Sequence, residues 1–104
     1  MQKVYSQGDV ILTDCDLPLD AVEVKDWNRV LAYGEITGHA HRVIKGEVRY
    51  FRDLRGEGYM QILSDFAEIG HEDHPVFRVP RGIRKNQQSR EVDWMSEQVR
   101  TVID

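Results

Sequence analysis

Glu47-Val48-Arg49-Tyr50-Phe51-Arg52-Asp53-Leu54-Arg55-Gly56-Glu57-Gly58-Tyr59-Met60-Gln61-Ile62-Leu63 decides the fold class. Two runs rich in β-branched and aromatic residues, Glu47 to Arg52 and Tyr59 to Leu63, flank a charged loop holding two glycines, the pattern of a β-hairpin. Working outward towards the N-terminus, Val43-Ile44 leads into a Lys45-Gly46 turn, and Arg29 to Ile36 reads as a strand running into Thr37-Gly38. Ala21 to Lys25 alternates weakly, and Val10-Ile11-Leu12, opened by Gln7-Gly8-Asp9, reads as an early strand before the acidic loop Asp14 to Pro18. Towards the C-terminus, Ser64 to Ile69 carries one more short strand. Pro75 to Pro80 alternates with proline at both ends, so it should be short or at an edge. Ile83 to Val92 is almost entirely polar and reads as an edge strand. Trp94, Met95, Val99, Val102 and Ile103 fit a helix about as well as a turn and final strand, and the β-branched residues among them favour the strand. Turn signals recurring every eight to twelve residues or so predict an all-β chain, a small barrel or sandwich with no helix beyond about three turns.

The 104 residues predict a single β domain, 1–104. With 40% hydrophobic and 31% charged residues and a net charge of -4, the balance is globular and offers no general attraction to nucleic acid or to an anionic membrane. There is no spanning-length apolar run, and Met1 to Tyr5 lacks the apolar core of a signal peptide, so the expected compartment is cytoplasmic. Cys15 is the single cysteine, which excludes an intrachain disulfide and a thiolate zinc knuckle. Asp14 and Asp16 beside it should raise its pKa and make it a poor nucleophile.

All four histidines fall in two clusters, Gly38-His39-Ala40-His41 and Gly70-His71-Glu72-Asp73-His74. Residues two apart on a strand share a face, so His39 and His41 project together, and an adjacent strand carrying His71 or His74 would bring a third imidazole to them. Neutral imidazole suits several divalent metals, so the cofactor expected is a divalent ion, Zn, Fe, Ni or Mn. Turn histidines, or core histidines satisfied by hydrogen bonds, are the alternative.

Gly34-Glu35-Ile36-Thr37-Gly38-His39-Ala40-His41 followed by Glu47 resembles the first motif of the cupins, a glycine, a short spacer, H-x-H and then a glutamate, and Pro80-Arg81-Gly82 resembles the P-x-G turn of their second motif. The resemblance implies a cupin-like barrel in which the imidazoles and Glu47 hold a divalent metal. Glu47 lies one or two residues later than the usual position. Lys85 stands where the third metal histidine would be, so that ligand would come from His71 or His74. The chain is also similar to a set of small uncharacterised bacterial and phage proteins sharing T-G-H-A-H-R, H-E-x-H, P-x-G and Q-x-R-E elements, here Thr37 to Arg42, His71 to His74, Pro80 to Gly82 and Gln88 to Glu91. That likeness implies a common fold and site and names no reaction.

Other chemistries have less support. His71-Glu72-Asp73-His74 is one residue short of the zinc-protease H-E-x-x-H, and its glycine and proline flanks forbid the helix that motif needs. Ser64-Asp65 and Ser89 have no histidine at nucleophile spacing, and Gly46, Gly56, Gly58 and Gly82 do not form a phosphate loop. Glu23/Asp26 and Glu72/Asp73 have the chemistry of acid–base pairs, although solvated surface carboxylates are the commoner outcome. Arg42 follows the first histidine pair, and Arg78, Arg81, Arg84, Lys85 and Arg90 concentrate positive charge. These residues either bind an anion through forked hydrogen bonds or serve as edge-strand charges.

The reading that follows is a metal-binding β-barrel protein. Its metal ligands are His39, His41 and His71 or His74, with Glu47 completing the shell, and Arg42 or Arg90 orients an anionic small ligand. The alternative is a non-catalytic accessory or interaction protein, of phage derivation, in which the histidines form a structural cluster. A homo-oligomer or a protein partner is compatible with either.

Overall fold

The computed structural model describes residues 3–34 and 38–88. Strand accounts for 66% of these residues and helix for none, and the sheet curls into a half-barrel. The strands are β1 (Val4–Gln7), β2 (Val10–Asp14), β3 (Val22–Glu23), β4 (Val30–Tyr33), β5 (Ala40–Lys45), β6 (Val48–Arg52), β7 (Gly58–His71) and β8 (His74–Gln88). Their order is β1-β2-β8-β7-β5-β4, with β6 also on β7 and carrying β3. Every pairing is antiparallel. β7 is the spine: its first part, Gly58 to Ile62, pairs with β6, and its later part, Glu68 to Gly70, with β5.

The hairpin predicted around Asp53 to Gly58 forms between β6 and β7. The Asp53 carboxylate holds its loop, accepting from Tyr59 Oη (2.9 Å), Arg55 N (2.9 Å) and Glu57 N (3.0 Å). Burial alone would raise its pKa, but these donors hold it below the usual carboxylate value, while burial and the bond to Asp53 push Tyr59 up to about 12.

Three expectations about strands are corrected. Ser64 to Ile69 is not a separate strand but the continuation of β7, because the register slips between Ile62 and Phe66 and pairing resumes beyond the slip. Such a bulge bends a strand without ending it. Pro75 to Pro80 is not short, being the first half of the 15-residue β8. The edge reading holds locally: β2 pairs with Arg84 to Gln88, so among the described residues the half carrying the prolines has β7 as its one ladder neighbour. Ile83 to Gln88 is polar yet lies between β2 and β7, not at an edge. Its inward side chains find partners on neighbouring strands: Arg84 is buried against Asp14 (2.9 Å), and the Asn86 amide nitrogen donates to Leu31 O and Tyr50 Oη. Pro80-Arg81-Gly82 is a bend inside β8 and not a turn between strands; Gly82 has φ 144°, and a Cβ there would overlap the Arg84 guanidinium. The final strand expected over Trp94 to Ile103 lies outside the described residues.

The core fills the concave face with Val10, Leu12, Val43, Met60, Ile62, Ile69 and Val79, against which Trp27 stacks on Tyr50 at 4.7 Å between ring centroids. Among the described residues no helix is long and apolar enough to cross a membrane.

Candidate functional site

The site lies where three turns meet. The β7–β8 hairpin closes through Glu72-Asp73, so His71 and His74 face each other as a cross-strand pair. β5 runs antiparallel to β7 with Arg42 opposite Gly70, which sets His41 beside His71. The left-handed Gly38 (φ 89°) turns the chain into β5, and Gly34 N donates to His39 O at 2.8 Å. From the other end of the sheet the β1–β2 turn folds over: Gly8, at φ 57°, lies so close that a Cβ would be 2.7 Å from His74 Nε2 and 3.2 Å from His41 Cε1. Only glycine fits this approach.

All four imidazoles therefore converge. Ring centroids are 4.2 Å apart for His41 and His71, 4.8 Å for His71 and His74, 5.6 Å for His41 and His74, and 5.8 Å for His39 and His71. One ligand atom each from His41, His71 and His74 fits within 4.8 Å of the others, and His39, His71 and Glu72 form a second such group. The two groups share His71.

Hydrogen bonds define the rings' available nitrogens. Gln7, buried at 4% exposure, donates from Nε2 to Ile69 O (3.2 Å) and Pro75 O (2.8 Å), which fixes its amide. Its Oε1 therefore faces His41 Nδ1 at 2.9 Å and can only accept. The proton of neutral His41 sits on Nδ1, leaving the Nε2 lone pair free. His39 Nδ1 donates to Asp73 Oδ2 at 2.9 Å, with the same consequence. His71 is the opposite case, since its Nδ1 accepts from Asp73 N at 2.9 Å and the proton of the neutral ring is on Nε2. Burial, and then the neighbouring His71 and His74, push His41 down to about 4, so its ring is neutral at physiological pH.

Glu72 lashes the hairpin tip to β5: Oε1 accepts from Ala40 N (3.0 Å) and Oε2 from Arg42 (3.1 Å). The Ala40 amide is the main reason its carboxyl lies at about 2.

A family model described only as a domain of unknown function, DUF8820, matches residues 6–85. The chain belongs to the DUF8820 family. No curated protein matches it, and no solved structure does. The matched span of this DUF8820 domain takes in Gln7, Gly8 and all four histidines.

Of the residues singled out in the sequence, His39, His41, His71 and His74 come together, and both members of the second cluster take part. Glu47 belongs to neither group among the described residues: it follows the Gly46 turn at the far end of β5, where its N–H donates to Ser64 Oγ. The carboxylate grouped with histidines is that of Glu72. Arg42 is near the site but is paired with Glu72, and Arg90 lies outside the described residues. The remaining cationic stretch is matched strand by strand, Arg78 with Glu68, Arg81 with Asp65, Arg84 with Asp14 and Lys85 with Glu57, so it forms neither an anion patch nor an unpaired edge. A polar depression of about 480 Å³ between Tyr50, Arg52, Arg55 and Asn86 contains none of the histidines, and Arg55 there faces Asp53. In the sequence Gln7 and Gly8 stand out only as the opening of an early strand. A lone glutamine carries no local signal of the histidine 34 residues away that it orients.

Proposed function

We propose that this DUF8820 protein binds a divalent metal ion through His41, His71 and His74, with an open position for an anionic small molecule. The carrying observation is the convergence of three imidazoles whose ligand atoms lie within 4.8 Å, one of them oriented by a buried amide on its far nitrogen. Ligating histidines characteristically carry such a partner on the other ring nitrogen. Tetrahedral zinc with bonds of about 2.1 Å needs donors about 3.4 Å apart, so the rings close by roughly an ångström on binding. Three neutral nitrogens leave the ion's charge uncompensated and a coordination position open, the arrangement of reactive rather than purely structural zinc sites. Zn, Fe and Ni all accept such a set, and Mn would favour one that also draws in a carboxylate. His39 and Glu72 stand beside it as the second group.

The alternative is a structural cluster, supported by the hydrogen bonds that His39, His41 and His71 already make to Asp73, Gln7 and the Asp73 amide. Elemental analysis of untagged protein and calorimetric titration with Zn, Ni, Mn and Fe(II) separate the two. The metal reading expects one ion per chain and loss of stoichiometric binding in His41→Ala, because one of three ligands holds a large share of a binding free energy of about 10 kcal/mol. Wild-type protein that takes up none of the four ions would leave the structural cluster.

A further inference from the structure

We propose that the cleft beside His74 receives the compact apolar part of a small carboxylic acid, whose carboxylate completes the metal's coordination; this rests on the metal reading above. The cleft has a volume of about 190 Å³ and is walled by Ser6, Gln7, Gly8, His74, Pro75 and Phe77. His74 thus belongs both to the imidazole triad and to the cleft wall. A ligand lying in the cleft therefore rests against one of the three rings that would hold the ion.

The charge of the surroundings selects an anion. A divalent ion on three neutral imidazoles keeps its full charge; Glu72 is engaged with the Ala40 amide and Arg42, and Asp73 with His39, and Asp9, whose charge also acts on His41, offsets only one of the ion's two charges. The walls select what the anion carries. The Gln7 amide is spent on Ile69 O, Pro75 O and His41, so the cleft is faced chiefly by the apolar surfaces of Pro75, Phe77 and the His74 ring. Phosphate would satisfy the metal but leave these walls in water. Volume sets the size: an apolar cavity of about 150 Å³ takes a benzene ring, so this cleft takes one ring or a short branched acyl group and not a long chain. A Cβ on Gly8 would press on His74 Nε2, so glycine there leaves that nitrogen its room.

The test is calorimetric titration of the zinc-loaded full chain, and of the metal-free chain, with acetate, benzoate, 3-methylbutanoate, octanoate and inorganic phosphate. Benzoate and 3-methylbutanoate should bind at least tenfold more tightly than acetate, octanoate or phosphate, and only with zinc present. Ser6→Leu, which fills the cleft, should reduce benzoate to the level of acetate while leaving zinc affinity unchanged. Phe77→Ala should weaken benzoate severalfold and acetate not at all. If zinc binds but benzoate has no advantage over acetate, or keeps it in Ser6→Leu, the cleft inference is overturned and the metal reading stands. Benzoate binding equally well without zinc overturns it too. Failure of Zn, Ni, Mn and Fe(II) all to bind overturns both.

Discussion

Gln7 is the residue on which the geometry of the site turns. It connects β1, the β7–β8 hairpin and an imidazole through three hydrogen bonds from one buried amide. Gln7→Leu keeps much of the volume but releases the His41 ring, and metal affinity should fall about 10- to 100-fold, as for other orienting partners of ligands. Leaving the Ile69 and Pro75 carbonyls unpaired should also cost about 1–3 kcal/mol of stability. Isothermal titration and chemical denaturation read the two effects separately, and unchanged affinity would remove Gln7 from the site. Histidine was legible in the sequence because all four copies cluster in two glycine-opened stretches. The carboxylate was not: Glu47 matched a motif spacing, whereas Glu72 reaches the site because the hairpin tip folds onto β5. Cys15 behaves as its neighbours imply, with a further cause. Burial contributes most to raising its pKa, followed by Asp16, with Asp14 adding less. It should label slowly with thiol reagents at neutral pH, and fast stoichiometric labelling of native protein would contradict that.

The β7–β8 hairpin is the element that must move for metal to bind. His71 Nδ1 now accepts the Asp73 N–H. Coordination through Nδ1 takes that lone pair, and coordination through Nε2 requires the proton to shift to Nδ1, so either route releases the Asp73 amide. In a nitrogen–proton correlation spectrum the Asp73 amide should therefore shift strongly and exchange faster as zinc is added, while amides in the β6–β7 loop, held by Asp53, stay put. An Asp73 signal unmoved at saturation would exclude His71 as a ligand. The hairpin around Asp53 was legible because its turn residues and flanking alternation are local. The length of β7 and β8 was not, because a bulge inside a strand looks in sequence like the end of one. The polarity of Ile83 to Gln88 misled for a related reason: the buried Arg84 and the half-buried Asn86 have partners on β2, β4 and β6, and partners distant in sequence do not show in a local pattern.

At the scale of the whole molecule, curling of the sheet carries the β1–β2 turn onto the β7–β8 tip and closes the site over His41, which is 4% exposed. The all-β class follows from the rhythm of turns, but this closure depends on contacts more than sixty residues apart, such as Gln7 to Ile69, and no local pattern specifies it. It has a measurable consequence. His41 lies at about 4 in the folded chain against 6.5 for a free imidazole, because burial and then His71 and His74 disfavour its charged form. Between these values the unfolded chain binds a proton that the folded chain refuses, so stability is fully present above pH 6.5 and falls as pH drops towards 4. The loss from this group should approach about 3 kcal/mol, at about 1.4 kcal/mol per unit of pKa difference. Glu72, held at about 2, keeps its charge in the fold throughout this window. Denaturant titrations of metal-free protein at several pH values between 7.5 and 4.5 should show the decline, and His41→Gln should flatten it. Zinc should steepen it, since an ion at 100 times its dissociation constant adds about 2.7 kcal/mol while the imidazoles are neutral and progressively less as they protonate. A metal-free stability that stays level from pH 6.5 to 4.5 would mean that His41 is open to water and that the β1–β2 turn does not cover it.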